Sequence, residues 1–140
     1  SQFLSPSHNQ RDDQWGGSLE NRMRFVRKVY QAIRTEVGKD YPIGIKLNSA
    51  DFMQGGFSEE DSMQVIKQLS EDGIDLIEVS GGTYESPAMV GHRDKDDQPK
   101  ASTVKREAYF LEYAEAVRQH TDKPLVVTGG FRSSKGMVDA

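Results

Sequence analysis

Ile43-Gly44-Ile45-Lys46-Leu47, Ile74-Asp75-Leu76-Ile77-Glu78-Val79 and Leu125-Val126-Val127-Thr128 are short apolar runs separated by stretches with helical periodicity. Such runs, rich in Ile, Leu and Val, read as parallel strands buried on both faces, because each parallel crossover needs a helix to cover the sheet. The fold class is therefore α/β. Each run also ends in chemically useful residues. The first contains Lys46, the second opens into Ser80-Gly81-Gly82, and the third opens into Gly129-Gly130. Ligands of α/β folds sit beyond the carboxyl ends of the strands, so these residues read as parts of one anion-binding mouth.

The stretches between the runs carry start and stop signals. Ser18 is placed to cap a helix reaching about Val37, with Met23, Val26, Tyr30, Ile33 and Val37 recurring on one face and Gly38 ending it. Gly55-Gly56 marks a tight turn. Ser58, followed by Glu59, Glu60 and Asp61, caps a second helix whose acidic first turn suits the helix dipole. Met63, Val65, Ile66 and Leu69 of that helix face the sheet, and it runs to Asp72-Gly73. A long irregular stretch from Gly81 to about Lys105 follows, and a connection of that length is a candidate functional loop. A third helix is expected from about Arg106, with Tyr109, Phe110, Tyr113, Ala116 and Val117 on one face, and a further helix opens near Ser134.

At 140 residues the chain can form one domain with a core, but a complete eight-stranded barrel takes roughly 250 residues. Residues 1–140 therefore read as a single partial domain, an internal piece of a larger protein. Eighteen basic against 22 acidic residues give a net charge of -4, which argues against a nucleic-acid partner. Without cysteine there is no disulfide framework, thiolate metal site or cysteine nucleophile. No apolar run approaches the roughly 20 residues of a membrane span, so the cytoplasm is the default localisation.

Lys46 is the most informative single residue, because lysine is rarely buried without a partner. Strand alternation puts it on one face with Gly44, opposite Ile45 and Leu47. If that face lines a barrel interior, the ammonium meets an anion or a ligand carbonyl. A Schiff-base lysine is the competing chemistry. Gly129-Gly130 ahead of Ser133-Ser134, and Ser80-Gly81-Gly82, each admit two readings. They can cradle phosphate with free backbone N–H groups, or they can be turns that need glycine for their dihedrals alone. His92, in a charged cluster, reads as a solvated residue, and His8 and His120 have weaker claims on a site. Glu78 and Asp75 have no companion at metal-ligand spacing, so no metal site is expected. Tyr109, Phe110 and Tyr113 read as helix core.

A longer pattern is more specific than any glycine pair. Gln2-Phe3-Leu4-Ser5-Pro6, Asn9-Gln10-Arg11 and Asp13-Gln14-Trp15-Gly16-Gly17-Ser18-Leu19-Glu20-Asn21-Arg22 with Arg24-Phe25 closely resemble the old yellow enzyme family of FMN-dependent NAD(P)H oxidoreductases. The resemblance continues in order through Pro42 to Leu47, Val79 to Gly82 and Pro124 to Phe131. It implies a (β/α)8 TIM barrel, of which this chain supplies the loop and helix after strand four through strand seven and the start of the next helix. It also implies that Lys46 approaches the N1/O2 edge of the flavin, where many relatives carry Arg, and that Ser80, Gly81, Gly129, Gly130 and Arg132 hold ribityl and phosphate oxygens. Lys offers a single point charge in place of Arg's forked donors. The Trp15 to Arg22 segment is implied to be structural, tying its loop to the following helix.

The family's substrate-holding His/Asn or His/His pair and its proton-donating tyrosine are expected just upstream of Gln2, so no catalytic residue is assigned within this sequence. The implied activity is hydride transfer from NADH or NADPH through FMN to an activated alkene such as an enone, the small-molecule partner. The resemblance is compatible with a homo-oligomer. Two rival readings stay open from the residues alone: a phosphate-binding barrel lyase with Lys46 as Schiff base, and a non-catalytic partial barrel whose exposed strand edges favour association.

Overall fold

The computed structural model describes residues 2–81, 101–128, 131 and 134–139. Its elements alternate in the expected order: α1 (Leu19–Val37), β1 (Gly44–Asn48), α2 (Glu59–Asp72), β2 (Leu76–Ser80), α3 (Ala101–Arg118), β3 (Leu125–Val127) and α4 (Ser134–Asp139). The strands form one sheet in the order β1-β2-β3, and both pairings are parallel. Gly44 lies opposite Leu76, Lys46 opposite Glu78 and Asn48 opposite Ser80, while Ile77 and Val79 pair with Leu125 and Val127.

The caps are those the sequence announces. Ser18 accepts from the Asn21 N–H, and Ser58 accepts from the Asp61 N–H at 3.1 Å. Gly73 ends α2 in the left-handed conformation at φ 97°, which a side chain rarely adopts. The third helix starts at Ala101, about five residues earlier than expected. Its first turns consist of good helix formers such as Ala101, Lys105 and Arg106 without an apolar period, so nothing in their pattern separates them from loop.

One face of the sheet is packed and the other is open. Leu47, Ile77 and Val79 are buried, with Ile45, Leu125 and Val127 packed beside them, under Val65, Ile66 and Leu69 of α2 and Tyr113 and Val117 of α3. Gly44, Lys46, Leu76 and Val126 are exposed on the opposite face. The expectation of strands buried on both faces therefore holds for one face within this chain. Among the described residues no element covers the other, which the barrel resemblance makes the interior.

Met23 and Tyr30 of α1 are buried and Val26 packs on the core, but Ile33 and Val37 are exposed, together with Phe25 and Val29. Phe25, Val29, Ile33 and Val37 recur every four residues and form their own apolar stripe beside that of Met23, Val26 and Tyr30, exposed among the described residues. Phe3 stacks on Phe25 with ring centroids 4.1 Å apart.

Three α1 arginines tie the layers together. Arg22 has a side chain only 7% exposed and donates to the carbonyls of Leu4 and Gly17 and to the Asp61 carboxylate at 3.0 Å. It thus joins the N-terminal loop, α1 and α2, the structural role expected of its segment. Arg27 makes a forked pair with Asp72, at 2.6 and 2.8 Å. Arg34 pairs with Asp75 and also donates to the Tyr41 carbonyl at 2.6 Å. Gly16 sits so close to Arg11 that a Cβ would lie 2.1 Å from the Arg11 carbonyl oxygen, which accounts for glycine in that loop.

Replacing Arg22 with Ala strands two carbonyls and a carboxylate in a partly buried site. The expected loss is about 3 kcal/mol in chemical denaturation, and Arg22→Lys recovers little of it because one ammonium cannot fork to three partners. The Asp75 carboxyl is held below the usual carboxylate range by the Ile43 N–H, at 2.8 Å, and by Arg34. A depressed carboxyl contributes stability above its unfolded pKa and loses it as pH falls through the folded value. The stability gap between wild type and Asp75→Asn is therefore widest near neutral pH and closes in acid, as denaturation midpoints measured across that range will show.

Candidate functional site

The open face of the sheet carries the polar side chains. Lys46, at the centre of β1, and Glu78, at the centre of β2, are register partners, and parallel pairing points both to the same side. Lys46 Nζ donates to Glu78 Oε1 at 2.6 Å. The Thr128 hydroxyl, immediately after β3, donates to the same oxygen. The three strands are thereby cross-linked on this face by one carboxylate. The Lys46 side chain is 54% exposed and that of Glu78 31%, so the pair is reachable and is no buried ion pair. Its two donors hold the Glu78 carboxyl below the usual range, Lys46 first and Thr128 second.

Nearer the carboxyl ends of the strands, Ser80 donates to Asn48 Oδ1 at 3.3 Å, and the Ser80 carbonyl accepts from the Ser49 N–H at 2.6 Å. Gly81 is buried, and a Cβ there would fall 2.9 Å from both the Phe110 ring and Ser49 Oγ. Glycine at 81 thus has a packing reason of its own, the close approach of α3 to the strand end. Lys46, Ser80 and Gly81 are brought to one region of the sheet. Gly82, Gly129, Gly130, Arg132 and the cluster around His92 lie outside the described residues.

Behind the site the aromatic residues of α3 act as core, as their periodicity implied. Tyr113 donates to Ser62 Oγ at 2.7 Å and Tyr109 to Ser49 Oγ at 2.9 Å. Burial raises both phenols, Tyr113 to about 12, so both stay neutral donors at physiological pH. The β1–α2 loop is held by Asp51, fully buried, whose Oδ2 accepts from the Phe57 N–H at 2.9 Å. Gly55, at φ 72°, and Gly56, where a Cβ would meet the Met53 and Asp51 side chains at 2.8 and 2.9 Å, form the expected turn. His8 stays within the N-terminal loop against Ser5 and Ser7, and His120 sits in the α3–β3 connection, at the amino ends of the strands. Among the described residues, no three His, Asp or Glu converge as a metal site, and no helix is long and apolar enough to cross a membrane.

Sequence reasoning singled out Lys46 and asked for its partner without finding Glu78. The usable signal was that both residues sit at the middle of neighbouring strands, where the register of a βαβ unit sets them side by side.

Comparison with known proteins agrees with this architecture. The family model of the NADH:flavin oxidoreductase / NADH oxidase family matches residues 1–140. An NADH-dependent flavin oxidoreductase of Neonectria sp. is 39% identical over 97% of this chain and 18% of its own length. An NADH oxidase of Thermoanaerobacter brockii is 33% identical over 94% of this chain and 19% of its own. Among solved structures, a 2-naphthoyl-CoA reductase in complex with 2-naphthoyl-CoA superposes with a TM-score of 0.79 at 31% identity, over 97% of this chain and 19% of that one. The old yellow enzyme homologue of Zymomonas mobilis shares the fold, with a TM-score of 0.63 at 24% identity over 94% of this chain and 33% of its own. The chain thus spans between about a fifth and a third of the relatives it matches. The parallel three-stranded unit is a segment of their (β/α)8 TIM barrel, with its open face turned inward, and with a family match running from its first residue to its last the chain belongs to the NADH:flavin oxidoreductase / NADH oxidase family.

Proposed function

We propose that the protein carrying this chain is an FMN-dependent NAD(P)H oxidoreductase of old yellow enzyme type, acting on an activated alkene such as an enone. The observation that carries the reading is the exposed, basic Lys46 on the inward face of the sheet, in a chain matched throughout by a flavin oxidoreductase family. FMN supplies the hydride chemistry when bound, accepting hydride from NADH or NADPH and delivering it to the electron-poor carbon of the acceptor.

The residues present fit such a group. Lys46 Nζ is a donor and a positive charge on a face with open space, suited to the edge of a ring that gains negative charge on reduction. Ser80, oriented by Asn48, and the backbone N–H of Gly81 stand at the strand end where ribityl or phosphate oxygens are held in α/β folds. Gly129, Gly130 and Arg132 are assigned to the phosphate from the resemblance. Access of the acceptor is assigned, from the sequence alone, to the stretch that follows Gly82. The Schiff-base alternative asks for a desolvated amine, whereas Lys46 is half exposed and donates to a carboxylate.

The purified whole protein is expected to show a flavin absorbance band near about 450 nm that bleaches on anaerobic NAD(P)H addition. A protein that remains colourless after FMN is supplied overturns the reading. With the same preparation, Lys46→Met is expected to slow flavin reduction about a hundredfold while leaving the fold intact, as removal of one group that stabilises developing charge does. A rate equal to wild type would remove Lys46 from the site.

A further inference from the structure

Lys46 does not present a bare positive charge. Its Nζ is 2.6 Å from Glu78 Oε1, and Thr128 donates to the same oxygen from immediately beyond the next strand. The register fixes this: Lys46 pairs with Glu78 across β1 and β2, and Thr128 follows β3, whose ladder to β2 ends at Val79 and Val127. The Thr128 N–H also bonds the Val79 carbonyl at 2.8 Å. The carboxylate is therefore anchored from both sides and cannot swing away from the lysine without breaking a second contact. A fixed anion beside a cation turns the pair into a dipole, and the field reaching a third group on that face is much smaller than that of the cation alone.

We propose that Glu78, anchored by Thr128, is the counter-ion that sets how much of the Lys46 charge reaches a bound flavin, and so tunes its reduction potential. The inference rests on the flavin reading above. Reduction places negative charge at the edge that Lys46 faces, so a cation there draws the potential up and a neighbouring anion draws it down. Glu78 is thus a tuning residue acting beside and through Lys46. It contributes no proton and no bond to the transferred hydride.

The test is the midpoint potential of FMN in the whole protein, measured by equilibration with a reference dye, together with the dissociation constant for sulfite, whose flavin adduct is likewise anionic. Glu78→Gln keeps an acceptor for Lys46 and Thr128 while removing the charge. It is expected to shift the two-electron reduction equilibrium about tenfold toward the reduced form, a rise of about 30 mV, and to tighten sulfite about as much. Glu78→Asp, which keeps the charge, is expected to stay close to wild type. An unchanged or lowered potential in a Glu78→Gln protein that binds FMN overturns the inference and leaves the flavin reading standing. So does loss of FMN in Glu78→Gln but not in Glu78→Asp, which makes the carboxylate part of the scaffold. A wild-type protein that binds no FMN overturns the flavin reading itself, and the inference falls with it.

Discussion

Parallel strands alternate their side chains between two faces, and among the described residues the helices cover only one. Everything else follows from that division. Leu47, Ile77 and Val79 are buried beneath α2 and α3, and the same register that places them there obliges Gly44, Lys46, Leu76 and Glu78 to face the other way. A one-residue slip would exchange the two sets, putting a lysine and a glutamate under the helices and the aliphatic residues into the open, at a cost no local interaction could offset. The hydrophobic layer is thus what aims the polar one.

The covered side is held by charge as well as by apolar contact. Arg22, Arg27 and Arg34 span α1, and their carboxylate partners Asp61 and Asp72 lie on α2 and Asp75 immediately before β2. Each pair joins segments distant in sequence, and the buried Arg22 also captures the Leu4 carbonyl of the loop that precedes the helix. That loop, with Asn9 donating to the carbonyls of Phe3 and Trp15 at 2.8 and 2.7 Å, is a structural clasp. Its sequence is distinctive because several of its polar groups are spent on backbone, and glycine is needed where Arg11 comes close.

Much of this was legible before the structure. The apolar runs, the serine caps and Gly38 and Gly73 are local signals with local causes, and they located the strands and helices to within a few residues. The first turns of α3 escaped because they lack an apolar period, and Ile33 and Val37 share the spacing of Met23, Val26 and Tyr30 yet lie exposed, because spacing does not tell which of two neighbouring apolar stripes the core covers. At the proposed site, Ser80 and Gly81 were singled out by their place at a strand end and Lys46 as a charge inside an apolar strand. Glu78 was seen and left without a role, since pairing across 32 residues depends on register, which no short-range pattern encodes. Gly81 carries a packing duty against Phe110 that a glycine in a turn does not advertise. The arginine–aspartate pairs were missed for the reason Glu78 was.

In the proposed reading, the open face bearing Lys46 and Glu78 is the cofactor face of a flavin barrel. Its most direct test is a crystal structure of the whole protein with FMN bound. Lys46 Nζ is expected within about 3 Å of the flavin edge, with Glu78 still against the lysine and Thr128 against Glu78. A flavin seated elsewhere, or a Lys46 turned away from it and held only by Glu78, would overturn that assignment.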